Sequence, residues 1–172
     1  MKNNKALKII VPLIMIFVIA GIWFFQSRTD EDEKGADNSQ FPLTITSVNI
    51  EELKKSGLPI IIDFGADECI PCKQMYPVLV DMNKEMQGKA IIQFIDVWKN
   101  PIAVTNFPVQ LIPTQLFYNA DGTPYIPSDD IASTIEFTTY SHRETEEHIF
   151  TTHQGGLTEE QMKLILKDMG VE

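Results

Sequence analysis

A β-branched, apolar run, Pro59-Ile60-Ile61-Ile62-Asp63-Phe64-Gly65-Ala66, leads after two acidic residues into Cys69-Ile70-Pro71-Cys72, which holds both cysteines of the chain. The run has the length and composition of a buried strand. The cysteine spacing puts both thiols on one helical turn, close enough to form a disulfide with little backbone movement. Such an arrangement demands a strand that delivers the pair to a helix N-terminus. There, unsatisfied N–H groups and the helix dipole favour the thiolate, the attacking species. Pro71 suits a first turn, since its missing N–H has no intrahelical partner to lose. Zinc binding and a structural disulfide are the other uses of such a pair. Zinc takes about four ligands, but there is no second cysteine pair, and the histidines are His142, His148 and His153. A structural disulfide ordinarily closes a long loop, and this one closes almost nothing. Thiol redox chemistry is the favoured reading.

Asp63 is out of place in so apolar a run. A partly buried carboxylate just before the cysteines can take and return protons during thiol exchange; a solvated strand-end carboxylate is the plainer alternative. After the pair, Met75, Val78, Leu79, Met82 and Met86 recur at helical spacing and form one apolar stripe, read as core. Pro77 interrupts the stripe and is expected to kink the helix without ending it.

In order and spacing, Asp63-Phe64-Gly65-Ala66, Cys69-Ile70-Pro71-Cys72-Lys73 and Pro77 resemble the thioredoxin family. Asn100-Pro101, leading into Ile112-Pro113-Thr114, resembles the segment carrying that family's cis-proline. Asp121-Gly122, and Gly155-Gly156-Leu157-Thr158 with Gln161, resemble its closing hairpin and last helix. Asp96-Val97-Trp98-Lys99-Asn100-Pro101 and Ile112-Pro113-Thr114-Gln115 look like a subgroup of small prokaryotic thioredoxins, often reduced through a polytopic membrane thiol carrier. The resemblance implies an α/β, three-layer fold with a central mixed sheet flanked by helices. It implies that Cys69 is the exposed attacking thiol, Cys72 the resolving thiol and Asp63 the buried proton acceptor. Pro113 would be the cis-proline, with the backbone at Ile112 pairing with an extended substrate segment beside Ile70 and Pro71. Read alone, Ile-Pro-Thr equally starts an ordinary edge strand.

Three positions depart from the family. Glu68 stands where a Trp usually precedes the first cysteine, Gly65 replaces a second Trp, and Phe94 replaces the Lys often found near the buried Asp. Glu68 and Asp67 are expected to disfavour the Cys69 thiolate by like-charge repulsion. Loss of the Trp removes apolar surface on which substrates rest.

Ile9 to Phe25 is a continuous apolar run of 17 uncharged residues, about 26 Å long as a helix. Lys2, Lys5 and Lys8 precede it, and Asp30, Glu31, Asp32 and Glu33 follow. By the positive-inside rule its N-terminus stays in the cytoplasm and the remainder is exported. The run ends Ile22-Trp23-Phe24-Phe25-Gln26 without a small-residue cleavage site, which favours an uncleaved anchor over a signal peptide. The expected organisation is a basic tip and signal-anchor over 1–28, an acidic flexible linker over 29–40, and a thioredoxin-like domain over 41–172. Exported domains often carry disulfide staples, yet this chain has no cysteine to spare for one.

Within the domain, Thr44-Ile45-Thr46 reads as a first strand and Asn49-Ile50-Glu51-Glu52 as a capping-box entry to a short helix ending near Gly57. Ala90–Val97 and Thr114–Tyr118 read as strands. Thr158 with Gln161 caps a last helix whose Met162, Ile165, Leu166 and Met169 face the core. A segment over about 125–149 has no counterpart in the family. Its Ile135–Tyr140 and His148–Thr152 are strand-like, with a polar hairpin between them. The segment is expected away from the cysteine end, where it tunes partner choice or packs on the sheet edge and takes no part in the chemistry. Metal binding by its histidines is the weaker reading, since nothing fixes their convergence.

Net charge is −10. Residues 1–37 carry five basic and five acidic side chains, so the remainder holds the whole excess. Nucleic acid requires a basic footprint and is not expected as a partner. The function expected is reduction of disulfides in exported proteins through the Cys69–Cys72 dithiol, recharged by a membrane electron carrier, with no cofactor and no metal. The alternatives are a disulfide-donating oxidase or isomerase, and a non-catalytic module that holds client peptides around Pro113.

Overall fold

A computed structural model describes residues 40–172 of the chain. The expected anchor over 1–28 and nearly all of the 29–40 linker lie outside the described residues. Among those described, no helix is long and apolar enough to cross a membrane.

Six strands form one mixed sheet: β1 (Thr44–Ile45), β2 (Ile60–Gly65), β3 (Ile91–Asp96), β4 (Thr114–Tyr118), β5 (Thr138–Ser141) and β6 (His148–Gln154), in the order β1-β3-β2-β4-β6-β5. β1, β2 and β3 run parallel, and β4, β6 and β5 join antiparallel. Helices α1 (Ile50–Lys54), α2 (Ile70–Glu85), α3 (Asp129–Ala132) and α4 (Glu159–Asp168) supply the outer layers.

β2, β3 and β4 are buried along their whole length, so both faces carry apolar side chains, as expected of strands covered on both sides. On one face Ile61, Ile92 and Phe117 meet Met75, Leu79 and Met82 of α2 and Met162, Ile165 and Leu166 of α4. On the other face Ile60, Ile62, Phe64, Ile95 and Leu116 pack beneath α1 and the loop around Phe107. Each such side chain, fully buried, contributes about 1.5–3 kcal/mol of transfer free energy. The three layers match the architecture expected of the sequence.

Local signals act mostly as their chemistry dictates. Thr158 and Gln161 form a complete capping box at α4. At α1 only half of the box forms: Asn49 Oδ1 accepts from Glu52 N at 3.2 Å, while the Glu52 carboxylate turns away to Lys55 at 2.7 Å. Helix α2 runs through Pro77 to Glu85.

The segment over 125–149 departs from expectation in two ways. It begins with α3, where Ile135 N bonds back to Ile131 O at 2.9 Å, and Ile131 and Ile135 are buried in the α2–α4 core. The strand therefore starts at Thr138, not Ile135. β5 pairs antiparallel with β6 and lies at the sheet edge, with the connecting turn at the end remote from the cysteines. Its entry, however, returns toward the cysteine end. Glu136 O bonds His153 Nδ1 at 2.8 Å, and the Phe137 ring packs edge-on against His153. The expectation that the whole segment lies away from that end is corrected: its apolar residues are core, and core packing draws its first half across the sheet.

Candidate active site

The C-terminal end of β2 feeds directly into the N-terminus of α2, and Cys69 is the N-cap of that helix. Cys69 and Cys72 are paired as a disulfide with Cα atoms 5.2 Å apart. Cys72 N donates to Cys69 Sγ at 3.4 Å, a contact that favours negative charge on that sulfur when the pair is reduced. Cys69 is 9% exposed and Cys72 4%, so the first residue of the pair is the slightly more exposed.

Facing the pair is Ile112-Pro113, joined by a cis peptide bond, as the resemblance implies. Ile112 O lies 3.9 Å from Cys69 Sγ. Ile112 packs against Ala66, Cys69 and Cys72, and Pro113 O accepts from Gly155 N at 2.9 Å. Gly155 turns there with φ +115, a conformation that suits a residue lacking a Cβ. Ile70, between the cysteines, is 71% exposed, and Leu111 and Trp98 are also exposed on the same end of the domain. Pro71 lies exposed in the first turn of α2. These residues form an apolar rim around Cys69.

Asp63 is buried beneath the pair. A Cβ added to Gly65 would stand 3.2 Å from Asp63 Oδ2 and 3.4 Å from Cys72 Cβ, so the carboxyl and the second cysteine border the same small space. Burial pushes the Asp63 pKa up to about 7, and a hydrogen bond from Gln115 pulls it partly back. A carboxyl that titrates near neutrality can both accept and return a proton at working pH. Its Cα partners across the sheet are Phe94 on β3 and Gln115 on β4, and Gln115 is in turn opposite His153 on β6.

The charge balance at the rim differs from that expected of the sequence. Asp67 does not act as a free anion, because Lys99 Nζ pairs with its carboxylate and also lies 3.8 Å from Asp96. Asp96 in turn accepts the backbone N–H groups of Asp67, Trp98 and Lys99. Burial raises its carboxyl, but these hydrogen bonds and Lys99 outweigh that and hold it below the usual carboxylate range. Of the two acidic neighbours of Cys69, Glu68 is the one left to repel its thiolate.

Gln115, Asp96 and Lys99 carry no individual role in the sequence reading. A polar residue inside the buried strand Thr114–Tyr118 was the available signal for Gln115. The histidines do not converge: His148 bonds Phe150 O and Thr151 Oγ1, while His153 bonds Glu136 O. Among the described residues, no group of three or more His, Cys, Asp or Glu side chains is arranged to hold a metal ion.

The family model described as Thioredoxin matches residues 43–135. The chain is 35% identical over 72 residues to the thioredoxin of Rickettsia conorii, covering 41% of this chain and 69% of that protein. It is 35% identical over 98 residues to the thioredoxin of Staphylococcus saprophyticus, covering 54% of this chain and 92% of the relative. Its structure aligns with the X-ray structure of Fasciola hepatica thioredoxin at 19% identity and a TM-score of 0.49, covering 73% of this chain and 97% of that one. The relatives imply thiol–disulfide oxidoreductase activity in general.

Proposed function

The chain belongs to the thioredoxin family, and from that premise we propose that it is a membrane-anchored, extracytoplasmic enzyme that reduces disulfides of exported proteins. The observation that carries the chemistry is the helix-capping Cys69, paired with a slightly less exposed Cys72 beside a buried, near-neutral carboxyl.

The reaction proceeds in two exchanges. Reduced Cys69, as thiolate, attacks one sulfur of a client disulfide; a mixed disulfide forms and the other client sulfur leaves as a thiolate. Cys72 S–H then gives its proton to Asp63, and the Cys72 sulfur attacks Cys69 Sγ. The mixed bond breaks, the second client thiolate departs, and Cys69–Cys72 is left oxidised. Ile70, Pro71, Ile112 and Pro113 would hold an extended client segment against the rim.

Location and electron supply rest on the sequence. The apolar run Ile9–Phe25 with lysines before it and carboxylates after it supports an exported domain held at the membrane. Two electrons must return to the dithiol for each turnover, and a polytopic membrane thiol carrier is the donor we propose.

Direction is the point a second reading disputes. Glu68 beside Cys69 supports a reductant, because repelling the thiolate destabilises the reduced form on which a strong oxidant depends. Lys99 neutralising Asp67 argues the other way and favours a disulfide donor. A redox titration against glutathione separates the two. A potential below the glutathione couple is expected; one well above it reverses the assignment to an oxidase or isomerase.

A further inference from the structure

Gln115 is fully buried. Its Nε2 donates to Asp63 Oδ1 at 2.6 Å and lies 3.4 Å from Met75 Sδ. Its Oε1, buried just as deeply, has no hydrogen-bond partner among the described residues. A buried amide oxygen left unmatched is costly, and such groups in native proteins ordinarily have a use.

The groups facing Asp63 are Cys72 from α2, Phe94 from β3 and Gln115 from β4, with Met75 of α2 against the Gln115 amide. His153 on β6 stands beyond Gln115 in the same row, bonded to Glu136 O. Among the described residues no charged side chain contributes to the Asp63 shift; burial drives it up and the Gln115 amide opposes it. The protonation state of Asp63 is therefore answered by one polar side chain.

We propose that Gln115 is the positioning residue for the proton acceptor, holding Asp63 as a carboxylate through Nε2–H and as an acid through Oε1 after the amide turns over. The inference rests on the reading of Asp63 as acceptor given above. When Cys72 hands its proton to Asp63, the carboxyl changes from an acceptor into a donor. A purely cationic or N–H partner would hold the first state and strand the second. An apolar residue would serve neither. A primary amide carries both a donor and an acceptor, so it matches both states without altering the charge of the site. The orphaned Oε1 is the acceptor held in reserve.

The test uses the full chain in its oxidised form, with the Asp63 carboxyl carbon followed by NMR as a function of pH, in the native protein and in Gln115→Met. The substitution keeps length and apolar contact but removes the donor. The Asp63 midpoint is expected to rise by about one pH unit, because the charge-assisted bond lost from the carboxylate is stronger than the neutral bond lost from the acid. An unchanged midpoint overturns the proposal. Should Gln115→Met fail to fold, the native chain alone suffices: the Gln115 amide protons must shift with the Asp63 midpoint, and amide signals indifferent to that titration overturn it equally. The acceptor reading is tested separately by Asp63→Asn. If that variant resolves mixed disulfides at the native rate and pH profile, the acceptor role fails even where the Gln115–Asp63 coupling is observed.

Discussion

Phe94 closes over Gly65: a Cβ built on the glycine would stand 2.8 Å from Phe94 Cε2, closer than such atoms come. The two departures from the family pattern at these positions are thus one departure. The ring that stands beside Asp63 in the sheet, packed edge-on against Tyr76, occupies the space a larger residue at position 65 would need.

Gly65→Ala should accordingly destabilise the domain by about 1–3 kcal/mol, the usual range for overpacking. Phe94→Leu should recover much of that loss in the double variant. Urea unfolding of the four proteins measures the coupling. Additive effects would show that ring and glycine do not share the space.

Asp63 makes stability depend on pH in a definite direction. Its folded pKa of about 7 lies above the ordinary aspartate value, so the folded state retains a proton that the unfolded chain releases. Stability falls as pH rises from about 4 to about 7, then levels off. Asp63→Asn removes this dependence. Its stability relative to the native oxidised protein should improve by on the order of 3 kcal/mol between pH 4 and pH 8. A difference that stays constant over that window would contradict the buried-carboxyl assignment.

The parts legible in the sequence were those encoded locally. The cysteine pair, Asp63 in its apolar run, the Thr158–Gln161 cap and the methionine stripe of α2 are each recognised within a few residues of chain. What was missed depends on register. Gln115 meets Asp63 because β4 pairs antiparallel with β2 in one alignment and not its neighbour, and a shift of one residue would place the amide on the opposite face. Lys99 reaches Asp67 through the loop after β3, a tertiary closure that spacing does not announce. The four-residue α3 is too short to give a periodic signal, which is why Ile135 read as strand when it is core.

The clamp at Asp96 ties the Trp98 loop to the residue two before Cys69. Asp96→Ala removes one acceptor for three N–H groups and should cost about 2 kcal/mol at neutral pH. Because its carboxyl is held below the usual range, that contribution is present at neutral pH and fades as pH falls through the acidic region. The deficit of the variant should shrink in acid. Thermal unfolding at pH 7 and below pH 4 makes the comparison.

The segment over 125–149 divides into a core half and a dispensable tip. Ile135→Ala should cost about 2–4 kcal/mol through loss of buried apolar volume. Replacing Arg143–Glu146 with Asn-Gly, which suits a two-residue hairpin turn, should alter stability by less than about 1 kcal/mol and leave reduction of a small model disulfide within a few-fold of native. Unfolding curves and a turnover assay on both variants decide it, with equal losses contradicting the division.

The central claim is that Cys69 attacks and Cys72 resolves, on clients outside the cytoplasm. Its most direct measurement is a trapping experiment in cells with full-length Cys72→Ser, followed by identification of the sulfur in each adduct. Mixed disulfides with exported proteins are expected, joined through Cys69 and released by reductant, and none with Cys69→Ser. Absence of adducts from Cys72→Ser, or equal yields from the two variants, would contradict it.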